Sequence, residues 1–156
     1  MTIGPAYGPP VRSKEGGCVA RGALPDPACT PGAIVTSDLD VICTQSTRAR
    51  RHVSEATHRA VFVAYGIAYP QPAGAYEVDH LIPLALGGSN DNANLWPEPG
   101  EPQPGFHEKD RVEDYLHGEV CAGRMTLVEA QRAIATDWLR IYRRIRDAPR
   151  DRAASE

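Results

Sequence analysis

The sequence predicts an α+β fold: a short antiparallel hairpin, helices on both sides of it, and a long irregular N-terminal arm. Three observations carry this. Two brief strand-like runs, Tyr76 to Leu81 and Asn94 to Trp96, flank the turn-rich stretch Gly87-Gly88-Ser89-Asn90-Asp91-Asn92, a hairpin wider than a two-residue turn gives. The C-terminal third places apolar residues at helical spacing. The 14 glycines and 14 prolines crowd into the first 35 residues and into 97–105. Regular elements fail there, because proline supplies no ladder donor and glycine loses most entropy on ordering.

A chain of 156 residues fits one domain with irregular extensions. Residues 1–45 read as an irregular arm, 46–146 as the functional domain and 147–156 as a frayed tail. Within the arm, Ile34 to Cys43 holds a short strand or turn. Ser54 caps a helix that runs to Tyr65, with Gly66 at its C′ position. His58, Val61, Phe62 and Tyr65 share one face of that helix, so His58 reads as a core-edge histidine without chemistry. Pro70, Pro72 and Gly74 break the chain before the first strand, and Pro97 stops the second.

The next helix spans Phe106 to Cys121, carries Val112, Tyr115, Leu116 and Val120 at helical spacing, and ends at Gly123. The last begins at Thr126, where Thr126 and Glu129 form a capping box. Its apolar line is Leu127, Ala130, Ile134, Trp138, Ile141 and Ile145, with Arg132, Arg140 and Arg143 on the opposite face. Trp96 and Trp138 read as core residues, and His52 and His117 as solvent-exposed ones.

Composition bounds the function. A net charge of −3 argues against a histone-like protein held to nucleic acid by bulk electrostatics. It leaves room for an enzyme that meets DNA along a local basic run such as Arg48, Arg50 and Arg51. No window has the apolar length of a membrane span, and the N-terminus carries no basic-then-apolar secretion signal. Cys18, Cys29, Cys43 and Cys121 include no Cys-x-x-Cys pair, which argues against a zinc ribbon. Four cysteines in a loop-rich chain allow two disulfides in three connectivities, of which Cys18–Cys29 with Cys43–Cys121 is preferred. Four reduced thiols are the alternative.

The chemistry concentrates in Tyr76 to Asn90, then Asn94-Leu95-Trp96-Pro97, then His107 at a helix start. Cutting a phosphodiester requires an activated water, charge stabilisation at phosphorus and fixed geometry between them. Histidine suits proton abstraction near neutral pH. A carboxylate with one neutral imidazole makes a sparse site for a hard divalent ion. Asp79 and His80 end a strand with diverging side chains, so one can hold metal while the other faces water. Asn94 can hydrogen-bond His80 or its backbone and fix the ring orientation. His107 lies on the Arg111 and Asp114 side of its helix, away from the apolar stripe. Gly87-Gly88 reads as a sharp turn, since no lysine follows at P-loop spacing.

The run Asp79-His80-x-x-Pro83-Leu84-x-Leu86-Gly87-Gly88-Ser89-Asn90, then Asn94-Leu95, then a histidine opening a helix, resembles the HNH endonuclease signature. It is closest to small bacterial and phage proteins with Asp-His-Leu-Ile-Pro-Leu and Asn-Leu-Trp-Pro followed by a Lys-Asp helix. The resemblance implies a ββα-metal core and a metal-dependent endonuclease acting on DNA rather than RNA. It implies His80 as general base, Asn94 as the orienting residue, and Asp79 and His107 as ligands of one divalent ion, magnesium before manganese. Two departures stand out: the zinc knuckles of many relatives are absent, and Arg111 replaces a second helical histidine, where it could touch phosphate instead. The chain is expected to be a monomer. The alternatives are a catalytically silent nucleic-acid-binding module, and an antibacterial effector neutralised by an immunity-type inhibitor.

Overall fold

The computed structural model describes residues 7–148; of the frayed tail expected over 147–156, Asp147 is the last residue of a helix and 149–156 lie outside the described residues. Four helices and one two-stranded sheet follow in the order α1 (Leu39–Thr44), α2 (Glu55–Ala64), β1 (Tyr76–His80), β2 (Leu95–Pro99), α3 (Phe106–Cys121) and α4 (Leu127–Asp147). The sheet is antiparallel, and α3 and α4 follow it, as the hairpin-plus-helices expectation required.

Local chemistry explains most boundaries. Ser54 caps α2 by accepting from Thr57 N, and Gly66 adopts φ +66° just past its end. Thr126 and Glu129 form the expected capping box on α4. Pro97 does not stop the second strand. Each strand of a two-stranded ribbon has a free edge, and a proline whose missing N–H falls on that edge breaks no ladder bond. The strand therefore runs through Pro97, opposite Val78.

The core sits where α3 and α4 cover the connection between the strands. Val112, Leu116 and Val120 of α3 and Leu127, Ala130, Ile134 and Trp138 of α4 pack around Ile42, Ile82 and Leu86. Fully burying each valine, leucine or isoleucine among them contributes about 1.5–3 kcal/mol. Residues 81–94 join the strands as a folded lobe rather than a loose loop. Gly87, at φ +88°, closes a 3-10 turn over Leu84–Leu86. A Cβ on Gly88 would run into the carbonyl oxygen of Ile82, so only glycine fits.

The arm is irregular in backbone but firmly attached. Ile34 bridges to Gly88, Ser89 N donates to Ala33 O, and Trp138 Nε1 donates to Ala23 O. Buried Gln131 joins two segments, donating to Leu86 O and accepting from Tyr7 N. Asp26 is held below the usual carboxylate range, first by the N–H of Val19, against the opposing effect of burial, and then by the N–H of Ala28. Only at α1 does the arm turn helical, so the strand-or-turn expectation for Ile34 to Cys43 is corrected there. Asp38 caps that helix by accepting from Asp40 N, which favours helical over extended backbone.

Both cysteine pairs are oxidised in the preferred connectivity, Cys18–Cys29 and Cys43–Cys121. The second joins α1 to the last residue of α3 across a sequence separation of 78, against 11 for the first. Chain entropy therefore makes it the more stabilising, at about 4.5 against about 3 kcal/mol. Replacing Cys43 and Cys121 together by serine should lower the denaturant midpoint more than replacing Cys18 and Cys29, as equilibrium unfolding followed by circular dichroism will show.

Candidate active-site cleft

The end of β1 meets α3 at a buried lysine. Lys109 has no exposed side-chain surface. Its ammonium donates to His80 O at 2.9 Å and to Glu113 Oε2 at 2.7 Å, and lies 3.0 Å from Asp79 Oδ2. The last contact is off the hydrogen-bonding direction, so it is an ion pair only. Two oxygens accept from its N–H groups and the Asp79 carboxylate adds a third, ionic partner, so the buried ammonium is both hydrogen-bonded and charge-paired. Burial alone would lower the Lys109 pKa; the carboxylates of Asp79, Glu113 and Glu98 outweigh it and raise the pKa. Burial pushes Asp79 up to about 7, and the ammonium beside it limits the rise.

A cleft of about 420 Å³ opens over this junction, lined by Arg51, Glu77, Asp79, His80, Asp110 and Glu113 together with Val78, Pro83 and Leu84. Partial desolvation raises the Glu77 carboxyl, and Asp110 and Glu113 raise it further. Desolvation and then Glu113 raise Asp110 in the same way. Beneath them lies Glu98, paired in register with Glu77 and fully buried, with neither carboxylate oxygen hydrogen-bonded. Burial first, and Asp79 second, push Glu98 up to about 10, so it is a neutral acid at neutral pH.

His80 lines the same cleft with its ring fixed. Nε2 lies 2.9 Å from Asn90 Oδ1, and Asn90 Nδ2 donates to Arg50 O at 2.7 Å. A carbonyl can only accept, so Arg50 fixes which end of the amide is nitrogen. The Asn90 oxygen must then accept from Nε2–H, leaving the lone pair of the neutral ring on Nδ1. Desolvation lowers the His80 pKa against the pull of the Asn90 bond, and Arg51 and Lys109 lower it further. A neutral imidazole with a fixed tautomer is a competent proton acceptor.

The residue on the His80 ring is therefore Asn90, a correction to the expectation for Asn94. Asn94 is fully buried and clamps the lobe instead. Its oxygen accepts from Ile82 N and Ala33 N, and its amide nitrogen donates to Ile82 O and Ser89 O. All four hydrogen-bonding positions of the side chain are used by backbone, so none is left for imidazole. Asn90 sat in a run of turn-forming residues, where a tertiary bond leaves no local signature.

His107 is exposed, stacks beside Phe106, and does not line the cleft with Asp79. At about 100° per residue it sits about 160° around α3 from Lys109, whereas Glu113 is about 40° and Asp110 about 100° away. A position opposite the apolar stripe faces solvent; the cleft is served by positions at the stripe's edge. Arg111 is also exposed and outside the cleft. Lys109, not singled out from the sequence, did leave a signal. It lies at i−3 and i−7 from Val112 and Leu116, and a lysine on a buried stripe requires buried partners.

The two residues expected as ligands of a divalent ion, Asp79 and His107, do not line one site together. Asp79 faces an ammonium, His107 is not among the cleft-lining residues, and among the described residues no group of three or more His, Cys, Asp or Glu is arranged to hold a metal ion. The chain matches no family model, no curated protein and no solved structure.

Two measurements check the junction. Lys109→Met should cost about 3–5 kcal/mol in urea unfolding, because it strands Asp79 as an unpaired buried carboxylate. Glu98 releases its proton near 4.5 when unfolded and near 10 when folded, so its contribution to stability is complete below 4.5 and is lost as pH rises between the two. Glu98→Gln should flatten the fall in thermal midpoint over that interval.

Proposed function

We propose that the chain is an endonuclease that hydrolyses phosphodiester bonds of DNA, with His80 as the general base. The observation that carries this is the held imidazole: Asn90 fixes the ring, and among the described residues Nδ1 has no protein partner. The Asp79-His80 to Asn94-Leu95 run of the HNH resemblance and the hairpin followed by α3 support the same reading.

The chemistry assigns each group a task. Water attacks phosphorus and gives a proton to Nδ1 of His80. The P–O bond to the leaving oxygen breaks, and that oxygen takes a proton from solvent. Lys109 holds the His80 carbonyl and so the strand end that positions the ring. Arg51 is the one guanidinium among the residues lining the cleft and is assigned to a phosphate oxygen. DNA is preferred to RNA through the resemblance, and nothing in the cleft reads a base edge.

A second reading, nucleic-acid binding without cleavage, is favoured by the Lys109 ammonium on Asp79, which leaves that carboxylate without its expected ion.

Incubation with supercoiled plasmid, in magnesium, in manganese and in chelator, decides between the two. The parent chain should nick or degrade the plasmid in at least one of these, and His80→Ala should lose about 10²–10⁴-fold of the rate. No cleavage by the parent in any of the three favours binding alone. The two asparagines should separate: Asn90→Ala lowers the rate with the thermal midpoint kept, while Asn94→Ala lowers the midpoint by leaving buried backbone groups unpaired, at about 1–3 kcal/mol each.

A further inference from the structure

We propose that a second groove against His80, walled by Arg51, His52, Val53, His58 and Val78, is a binding subsite for a backbone phosphate of the nucleic-acid strand. It rests on the nuclease reading for the identity of the strand and extends it with a site that reading does not use. The groove encloses about 350 Å³, and His80 and Arg51 line both it and the acidic cleft.

Charge separates the two sides of His80. The first cleft carries Glu77, Asp79, Asp110 and Glu113. The second shares Arg51 and His80 with it and adds His52 and His58, with no carboxylate among its lining residues. A strand bears a negative charge at every nucleotide, so a phosphodiester placed at His80 brings its neighbours with it. The carboxylates repel such a neighbour, whereas the second groove offers it Arg51 with no carboxylate in the lining.

The groove wall is anchored to the holder of the base. The Asn90 amide that accepts from His80 also donates to Arg50 O, and the Arg50 guanidinium donates to Leu84 O at 2.9 Å. The segment carrying Arg51 and His52 is therefore fixed relative to His80, as an anion cradle must be to align a substrate. On α2, His58 Nδ1 donates to Ser54 O, which fixes that ring and leaves Nε2 free. A histidine ring in its imidazolium form donates from both nitrogens, so Nε2 is the position available to a phosphate oxygen. The three imidazoles are not grouped to take a metal ion. His52 and His58, assigned no chemistry from the sequence, acquire a role only because two separate segments bring them together.

The test uses the full chain carrying His80→Ala, so that DNA stays intact. Fluorescence anisotropy with a short labelled duplex is measured for Arg51→Gln, His52→Gln and His58→Gln in that background, with Arg124→Gln, on the turn between α3 and α4, as control. Each groove variant should weaken Kd by about three- to tenfold, and Arg51→Gln should lower the salt slope by about one. The control should match its parent. The imidazole NMR signals of His52 and His58 should move on adding unlabelled duplex, and less at equal concentration of inorganic phosphate. Unchanged Kd in all three variants, unmoved signals at saturating duplex, or a stronger response to inorganic phosphate would overturn the subsite. Binding through these residues by a parent chain that cuts no plasmid would overturn the nuclease reading alone. Cleavage by a parent chain whose groove variants bind unchanged would overturn the subsite alone.

Discussion

The fold around the cleft depends on one buried cation. Lys109 joins the end of β1 to α3 through His80 O, Asp79 and Glu113, and nothing else in the described structure ties those two elements together by charge. Removing an ammonium from water costs several kcal/mol, which its three oxygen partners must offset. The consequence is geometric: because Lys109 is held on both sides, α3 cannot slide along the hairpin without stranding a charge. The strand end that carries His80 is thereby placed against the carboxylates of α3.

A second layer of constraint comes from two asparagines with divided roles. Asn94 spends its whole side chain on the backbone of the lobe and arm, while Asn90 spans from that lobe to His80 and to Arg50. The first makes the connection between the strands rigid, and the second passes that rigidity to the imidazole. His80 ends up on the ridge between an acidic cleft and a groove of imidazoles and a guanidinium. A polyanion therefore meets carboxylates on one side of the ring and none among the lining residues of the other.

The N-terminal arm and the disulfides explain how so irregular a chain holds this arrangement. The main core is small, made by α3 and α4 around Ile42, Ile82 and Leu86. The arm adds backbone pairing to Gly88 and Ser89 and a cap over Trp138. Cys43–Cys121 fastens α1 to the far end of α3, and Cys18–Cys29 closes the arm on itself. Small cores commonly need such cross-links, because little apolar surface is available to offset chain entropy.

The sequence by itself determined the elements. Ser54, Gly66 and the Thr126–Glu129 box set helix ends through bonds made within a few residues, and apolar spacing set the faces of α3 and α4. The α+β class, the hairpin and the place of His80 at its strand end were legible for the same reason. Only the tertiary structure decided which side chains meet. It put Asn90 rather than Asn94 on the imidazole, Lys109 on Asp79 where a metal ion was expected, and His107 outside the cleft. It also gathered His52, His58 and Arg51 into one groove. Local bonds are written in neighbouring residues; contacts between segments far apart in sequence depend on how whole elements pack, and period and capping do not encode that.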